Sequence, residues 1–325
     1  MTLNRRRFLA ATTLAPLAGM AQAARSGFPS QTVKVVVPYP AGGVVDVAAR
    51  VATDGLAALW QQSVVVENRP GANGNLGAQA VKAAAADGHT LLVGSMFLAL
   101  NPLLDRHARF TLDDFKPVGA LASAPNLLVV PASSPTTTLQ ELVTQARRQP
   151  GRLNTPNPGN GSSNHLGLEL LQQAAGIELT TIPYKGQPPF MVDLISGQLQ
   201  FAYVTAALAL PQIAAGKLRP LAVAAPTRLK TLPQVATLAE AGYPGIEVLP
   251  WSGVFAPAAT PAAVVEQITS DLEKVLATSD AQRRHEALHA EVPTGQGNFA
   301  RFVRVEQQRW QRVVAERRII MLDNG

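Results

Sequence analysis

Short β-branched and apolar runs alternate along this chain with segments whose apolar residues recur at helical spacing. That alternation confines it to an α/β architecture with mostly parallel sheets. Val33 to Val37 reads as a strand, and Asp46 to Trp60 as a helix with Ala48, Ala52, Leu56 and Leu59 on one face. Ser63 to Val66 (strand), Asn75 to Ala85 (helix) and His89 to Val93 (strand) complete a right-handed βαβ series. A second series has strands near Leu127 to Val130, Leu179 to Ile182, Leu199 to Tyr203 and Leu221 to Ala224. Its helices lie at Leu139 to Arg148, Ser163 to Ala174 and Phe190 to Ile195. Val254 to Pro257 reads as a strand returning to the first set. Helices follow at Pro261 to Ala277, Ala281 to His289 and Asn298 to Arg318, the last with Phe299, Phe302, Val303, Trp310 and Val313 on one stripe. The expected organisation is two α/β lobes: residues 24–122 with 228–325 form a discontinuous first lobe, and 123–227 the second. Open α/β sheets bind ligands outside the carboxyl ends of their strands, so two such lobes enclose a cleft.

The N-terminus predicts where the chain works. Asn4-Arg5-Arg6-Arg7-Phe8-Leu9 has twin-arginine form and leads through an apolar stretch to Ala21-Gln22-Ala23, the pattern of an export signal cut after Ala23. Phe8 to Met20 is too short to span a bilayer, so a soluble periplasmic protein is expected. Removing the signal takes three arginines and no acid from the formal charge of +6 and leaves 25 basic against 22 acidic residues, or +3. The scattered Arg147-Arg148, Arg283-Arg284 and Arg317-Arg318 pairs lack interleaved aromatics, which excludes a nucleic-acid stripe and permits a small anion. With no cysteine, the chain has no disulfide, thiolate metal site, cysteine nucleophile or lipoprotein anchor. The periplasm also supplies neither ATP nor nicotinamide, so no cofactor is expected.

Two loops carry the candidate chemistry. Pro38-Tyr39-Pro40-Ala41-Gly42-Gly43 joins the first strand to the first helix, where flexible glycines and a helix N-terminus make a ready anion site. The P-loop lysine is absent, which favours carboxylate over polyphosphate. A plain strand-to-helix turn is the competing reading. Asp46, in the first helical turn, either complements the dipole or faces the cleft. Gly159-Asn160-Gly161-Ser162-Ser163-Asn164-His165 opens another helix, with Ser162 or Ser163 as its N-cap. It lacks G-x-S-x-G form, so a hydrogen-bonding loop is favoured over a serine nucleophile with His165 as base.

His285-Glu286-Ala287-Leu288-His289 is a literal H-E-x-x-H, the zinc-peptidase pattern when it lies on a helix. Pro293 soon interrupts it, and Gly295 is out of register for the extended form. Glu306 is the nearest downstream acid for a third ligand. A charged surface helix is the simpler reading, and a periplasmic zinc hydrolase the enzymatic alternative.

In order along the chain stand VKVVVPYPAGGVVDVAAR, VVVENRPGANGNLGAQAV, GNGSSNHLGLELL, IPYKG and WSGVFAPAATPAAVV. Together these resemble the Bug family of periplasmic solute receptors, the binding subunits of tripartite tricarboxylate transporters, over roughly Val33 to Val314. The resemblance implies a bilobed, type II like periplasmic-binding-protein fold with a hinge, closing on a small carboxylate. It implies no enzymatic activity, and as partners a membrane permease or the ectodomain of a signalling kinase; a monomer is expected. By motif, the carboxylate meets the backbone of Ala41, Gly42 and Gly43 with Asp46 beside it and Tyr39 among the ligand-binding residues, and Ser95, Gly161, Ser162, Ser163, His165 and Thr205 add polar contacts. Tyr184-Lys185-Gly186 is a family hallmark whose role is read as structural, and the Asn68-Arg69-Pro70-Gly71 turn is expected to stabilise the first lobe.

Two departures from the family pattern bear on specificity. Ser95-Met96-Phe97-Leu98-Ala99-Leu100 stands where small polar residues are usual, which offers Phe97 as a cleft wall. Tyr203-Val204-Thr205 stands where Phe-Asp-Asn or Phe-Asp-Ser is frequent, which removes an acid. A cleft that gains apolar surface and loses an acid favours an aromatic or longer aliphatic carboxylate without an ammonium group. Either segment could instead face the core.

Overall fold

The computed structural model describes residues 27–159, 161–292 and 299–317. The export-signal motif therefore lies outside the described residues. The first lobe is built on a five-stranded sheet in the order β2-β1-β3-β10-β4, with β1 Val33–Val37, β2 Val64–Asn68, β3 Thr90–Ser95, β4 Phe115–Ser123 and β10 Trp251–Pro257. β1 pairs in parallel with β2 and β3, while β10 runs antiparallel to both β3 and β4. α1 (Val44–Trp60), α2 (Asn75–Lys82) and α3 (Phe97–Leu104) follow the strands of this lobe; α8 (Ala262–Leu276), α9 (Ser279–Ala287) and α10 (Phe299–Arg317) follow β10.

The second lobe carries two small sheets. β5 (Asn126–Pro131) lies between β8 (Ala202–Thr205) and β9 (Leu218–Ala224), antiparallel to both, and β6 (Asn154–Asn157) pairs in parallel with β7 (Thr180–Pro183). Its helices are α4 (Leu139–Arg148), α5 (Ser163–Ala175), α6 (Gln187–Ile195) and α7 (Ala206–Ala214). The expectation of mostly parallel sheets is thus corrected. Parallel pairing needs a crossover, which the chain makes through α1 and α5, whereas β10, returning from the second lobe, enters the first sheet antiparallel.

The apolar periodicities explain the packing. β1 is buried at four of its five positions, as a strand covered on both faces must be. On α1, Ala48, Ala49, Ala52 and Leu56 face inward, while Leu59 is half exposed, because the stripe drifts off the core by the last turn. α10 buries Phe299, Val303 and Trp310, with Phe302 and Val313 packed at the margin. Truncating a buried aromatic of this kind costs about 3–5 kcal/mol. One continuous hydrophobic cluster includes Val36, Leu92 and Phe255 of the first sheet together with Leu128, Tyr203 and Ala222 of the second.

β10 is admitted between its neighbours by small residues. Gly253 lies opposite Gly94, and a β-carbon on Gly253 would sit 2.7 Å from the Gly119 carbonyl oxygen. A β-carbon on Gly94 would sit 2.6 Å from the Phe255 ring. The sheet therefore closes around bare backbone, with the Phe255 and Phe299 rings filling the space.

Candidate functional site

The loop from Tyr39 to Gly43 leaves the carboxyl end of β1, and Ala41, Gly42 and Gly43 are exposed. Gly43 is the N-cap of α1, and no side chain caps the helix. A first turn without a side-chain cap aims N–H groups and partial positive charge at whatever occupies the space in front of it. Gly42, at φ +86°, supplies the turn that ordinary residues resist.

Asp46 does not face this space. Its carboxylate is buried, accepting the Gly42 N–H (2.9 Å), Arg50 Nε (2.9 Å) and Nη2 (3.1 Å), and Asn68 Nδ2 (2.7 Å). Arg50 also donates to Asn68 Oδ1 at 3.1 Å, and Asn68 Nδ2 to the Tyr39 carbonyl at 3.1 Å. Burial disfavours the charged carboxylate, yet the hydrogen bonds from Arg50, Gly42 and Asn68 together with the arginine charge outweigh it and hold the Asp46 pKa below the usual range. Asp46 thus latches the loop, and Asn68 links the two motifs PYPAGG and ENRPGA. Tyr39 donates to or accepts from Ser95 Oγ at 2.7 Å, and burial pushes its phenol up to about 12 despite that bond.

Three helices of the second lobe begin side by side at the carboxyl ends of β6, β7 and β8. Ser162 caps α5, its hydroxyl accepting the His165 N–H at 3.2 Å. Gly186 precedes α6 and Thr205 precedes α7, neither with a side-chain cap. Asn126, at the start of β5, pairs in register with Thr205 and donates to Ser163 Oγ at 3.0 Å. Asn164 donates to the Tyr203 carbonyl at 2.7 Å. Gln187 meets both Thr205 and Asn164. Gly161 donates its N–H to His165 Nδ1 at 3.2 Å, which puts the proton of a neutral imidazole on Nε2, 3.8 Å from Glu169. His165 is buried, and desolvation lowers its pKa to about 4. Its place is beneath the loop, holding it in shape. The Tyr184-Lys185-Gly186 turn is tied down by the Tyr184 hydroxyl on Asp193 (2.5 Å) and by the Gly186 N–H on the Pro158 carbonyl (3.2 Å).

The two lobes approach at the 72–74 turn, where a β-carbon on Gly159 would lie 3.8 Å from Asn73 Oδ1. Asn73, at φ +52°, is held from below by buried Asn101, which accepts its Nδ2 (3.0 Å) and donates to its carbonyl (2.9 Å). The sequence did not reveal Arg50, Asn73, Asn101, Asn126, Asn164 or Gln187, because polar residues paired across long separations leave no local pattern.

Phe97 and Val204 do not form an apolar cleft wall. Phe97 is 2% exposed and packs edge-on against Tyr39 and Phe110; Val204 is 0% exposed among the apolar residues beneath α6 and α7. The zinc reading fails on geometry as well. α9 ends at Ala287, so His289, at φ +47°, does not stack one turn after His285. His285 is buried with Nδ1 2.8 Å from the Ala281 carbonyl and Nε2 3.0 Å from that of Leu121, and Glu306 accepts the Trp310 indole N–H. Among the described residues no three His, Asp or Glu side chains gather as metal ligands. Nor is any described helix long and apolar enough to cross a membrane.

The chain is similar to proteins of one kind. The model of the tripartite tricarboxylate transporter family receptor, TctC, matches residues 48–319. A UPF0065 protein from the tcbD-tcbE intergenic region of Pseudomonas sp. (strain P51) is 37% identical, over 98% of this chain and 96% of its own length. Among solved structures, R. palustris Rpa4515 with adipate superposes with a TM-score of 0.83 at 33% identity, covering 91% of this chain and 100% of the other. The periplasmic binding protein BugD superposes with a TM-score of 0.82 at 31% identity, covering 90% and 99%. With its bilobed fold and its loops placed as described, the chain belongs to the Bug, or TctC, family of tripartite tricarboxylate transporter receptors.

Proposed function

We propose that this protein is a periplasmic receptor that captures a small carboxylate between its lobes and delivers it to a permease of the tripartite tricarboxylate type. The observation that carries this reading is the exposed Ala41-Gly42-Gly43 loop before the uncapped N-terminus of α1, braced by Asp46. Convergent helix N-termini in a cleft recognise an anion through N–H donors and dipoles and need no cofactor. Rpa4515, similar over its whole length, has adipate bound. In this reading Ala41, Gly43 and Ser162 meet the carboxylate directly, while Asp46, Ser163 and His165 shape the loops around it. Closure requires only that ligand favour the closed state over the open one.

The test is thermal unfolding of the exported protein against mono- and dicarboxylates, since a ligand bound by the folded state alone raises the midpoint with its affinity. A carboxylate that raises the midpoint of the wild type and leaves Gly43→Val unmoved supports the site. Absence of a shift with every carboxylate overturns the reading.

A further inference from the structure

We infer that Gln187 is a specificity-determining residue that occupies, with its own carboxamide oxygen, the place a ligand's second carboxylate would take; the inference rests on the carboxylate reading above. The Thr205 N–H (3.0 Å) and Oγ1 (3.3 Å) both donate to Gln187 Oε1. Two donors, one backbone and one hydroxyl, converging on one oxygen at the mouth of an uncapped helix are how a protein receives a carboxylate oxygen.

The orientation of the carboxamide is fixed by its neighbours. The Tyr203 carbonyl is only an acceptor, so Asn164 must turn its amide nitrogen toward it, at 2.7 Å. That leaves Asn164 Oδ1 to accept Gln187 Nε2 at 3.3 Å, and Gln187 Oε1 is thereby turned to Thr205. Asn164 and Thr205 are buried and Gln187 is partly exposed, at the first position of α6. The turn before it is joined to the Pro158 carbonyl through the Gly186 N–H, and Gly159 beside it approaches Asn73 of the other lobe. Gln187 therefore stands at the second-lobe face of the cleft.

A ligand with one carboxylate, bound at the α1 loop, leaves this arrangement intact and brings an apolar or neutral end toward Gln187. A dicarboxylate of the same length must either displace Gln187, stranding its amide and that of Asn164, or bury its second charge without the Thr205 donors. The predicted ligand class is monocarboxylates, selected by a side chain that mimics the missing group.

Calorimetric titration of the whole exported protein with hexanoate and with adipate tests this. Wild type is expected to bind hexanoate at least tenfold more tightly than adipate. Gln187→Ala, which frees the Thr205 donors, is expected to shift the ratio of the two affinities toward adipate by tenfold or more. Gln187→Glu, which keeps an oxygen on Thr205 and adds a charge, is expected to retain hexanoate and reject adipate further. Tighter binding of adipate by the wild type, or a ratio unchanged in Gln187→Ala, overturns the role of Gln187 while leaving the receptor reading standing. Binding of neither acid by wild type or variants overturns this inference, and the carboxylate reading falls with it only if the wider panel of mono- and dicarboxylates also leaves the thermal midpoint unmoved.

Discussion

Acid should loosen this protein through a histidine whose charge the fold cannot accommodate. His165 is buried at the start of α5, and its Nδ1 accepts the Gly161 N–H; burial lowers its pKa from 6.5 to about 4. The unfolded chain binds a proton at this residue below about pH 6.5, whereas the folded chain resists it until about pH 4. Stability from this group is therefore complete above pH 6.5 and falls as the pH drops through that window. At about 1.4 kcal/mol per unit, roughly 2 kcal/mol is lost by pH 5 and about 3 kcal/mol in all. Protonation would also place an N–H against the Gly161 N–H, so the α5 entry loop and carboxylate affinity should weaken over the same range. Glu169, one turn along, is pushed up by burial and gains stability on acidification, opposing part of the loss. The quantity to read is thus the difference between wild type and His165→Asn, whose amide oxygen keeps the acceptor for Gly161 but does not titrate. Urea unfolding at intervals from pH 7.5 to 4.5 should show wild type losing about 2 kcal/mol more than the variant by pH 5. Parallel losses in the two proteins would refute the argument.

Replacing Asp46 with Ala removes four hydrogen bonds around a buried charge and should cost about 2–4 kcal/mol in urea unfolding. Asn68→Ala should reproduce part of that loss and also reduce carboxylate affinity, and wild-type affinity in Asn68→Ala would show that the latch does not shape the loop. Gly253→Ala forces a methyl against the Gly119 carbonyl and the Phe299 ring, so soluble yield and the thermal midpoint should fall, by about 1–3 kcal/mol if the strand shifts to make room. Zinc at stoichiometric excess should leave the midpoint of the metal-free protein unchanged, because both His285 nitrogens face carbonyls; a rise lost in His285→Ala would contradict this geometry.

Residues with a strong local signal were legible in the sequence. β1 announces itself through its β-branched run, and α10 through a stripe that includes Phe299, Val303 and Trp310. β4 escaped because Pro117 and Gly119 interrupt it; it tolerates them as an edge strand whose register with β10 shifts near Pro117. β6, with the sequence Asn-Thr-Pro-Asn, has no apolar alternation to read. α3 and α7 were hidden by Pro102 and Pro211 inside largely apolar segments. α6 begins at Gln187, three residues before the expected Phe190, because Pro188 and Pro189 fit a first helical turn that has no need of their missing N–H groups. At the site, the glycine loops and the Ser162 cap could be read from neighbours in sequence. The partners of Asp46, His165 and Gln187 could not all be, since a side chain's burial and its distant partners follow from the packed lobes and leave no periodic trace.

The insertion of β10 between β3 and β4 also sets a clock for folding. β3 ends at Ser95, and the strand that pairs with its free side begins at Trp251, while among the described residues β4 has β10 as its ladder partner in the sheet. At about 5–20 residues per second, a ribosome needs roughly 10–30 s to make the stretch between them. Throughout that interval the nascent chain holds an open edge on β3 and, once it is made, an unpaired β4, the kind of surface that recruits the wrong strand. The second lobe, whose core closes with Leu232 and Val235, is made before β10 and is free to fold first, so the lobe that begins the chain is the last to be finished.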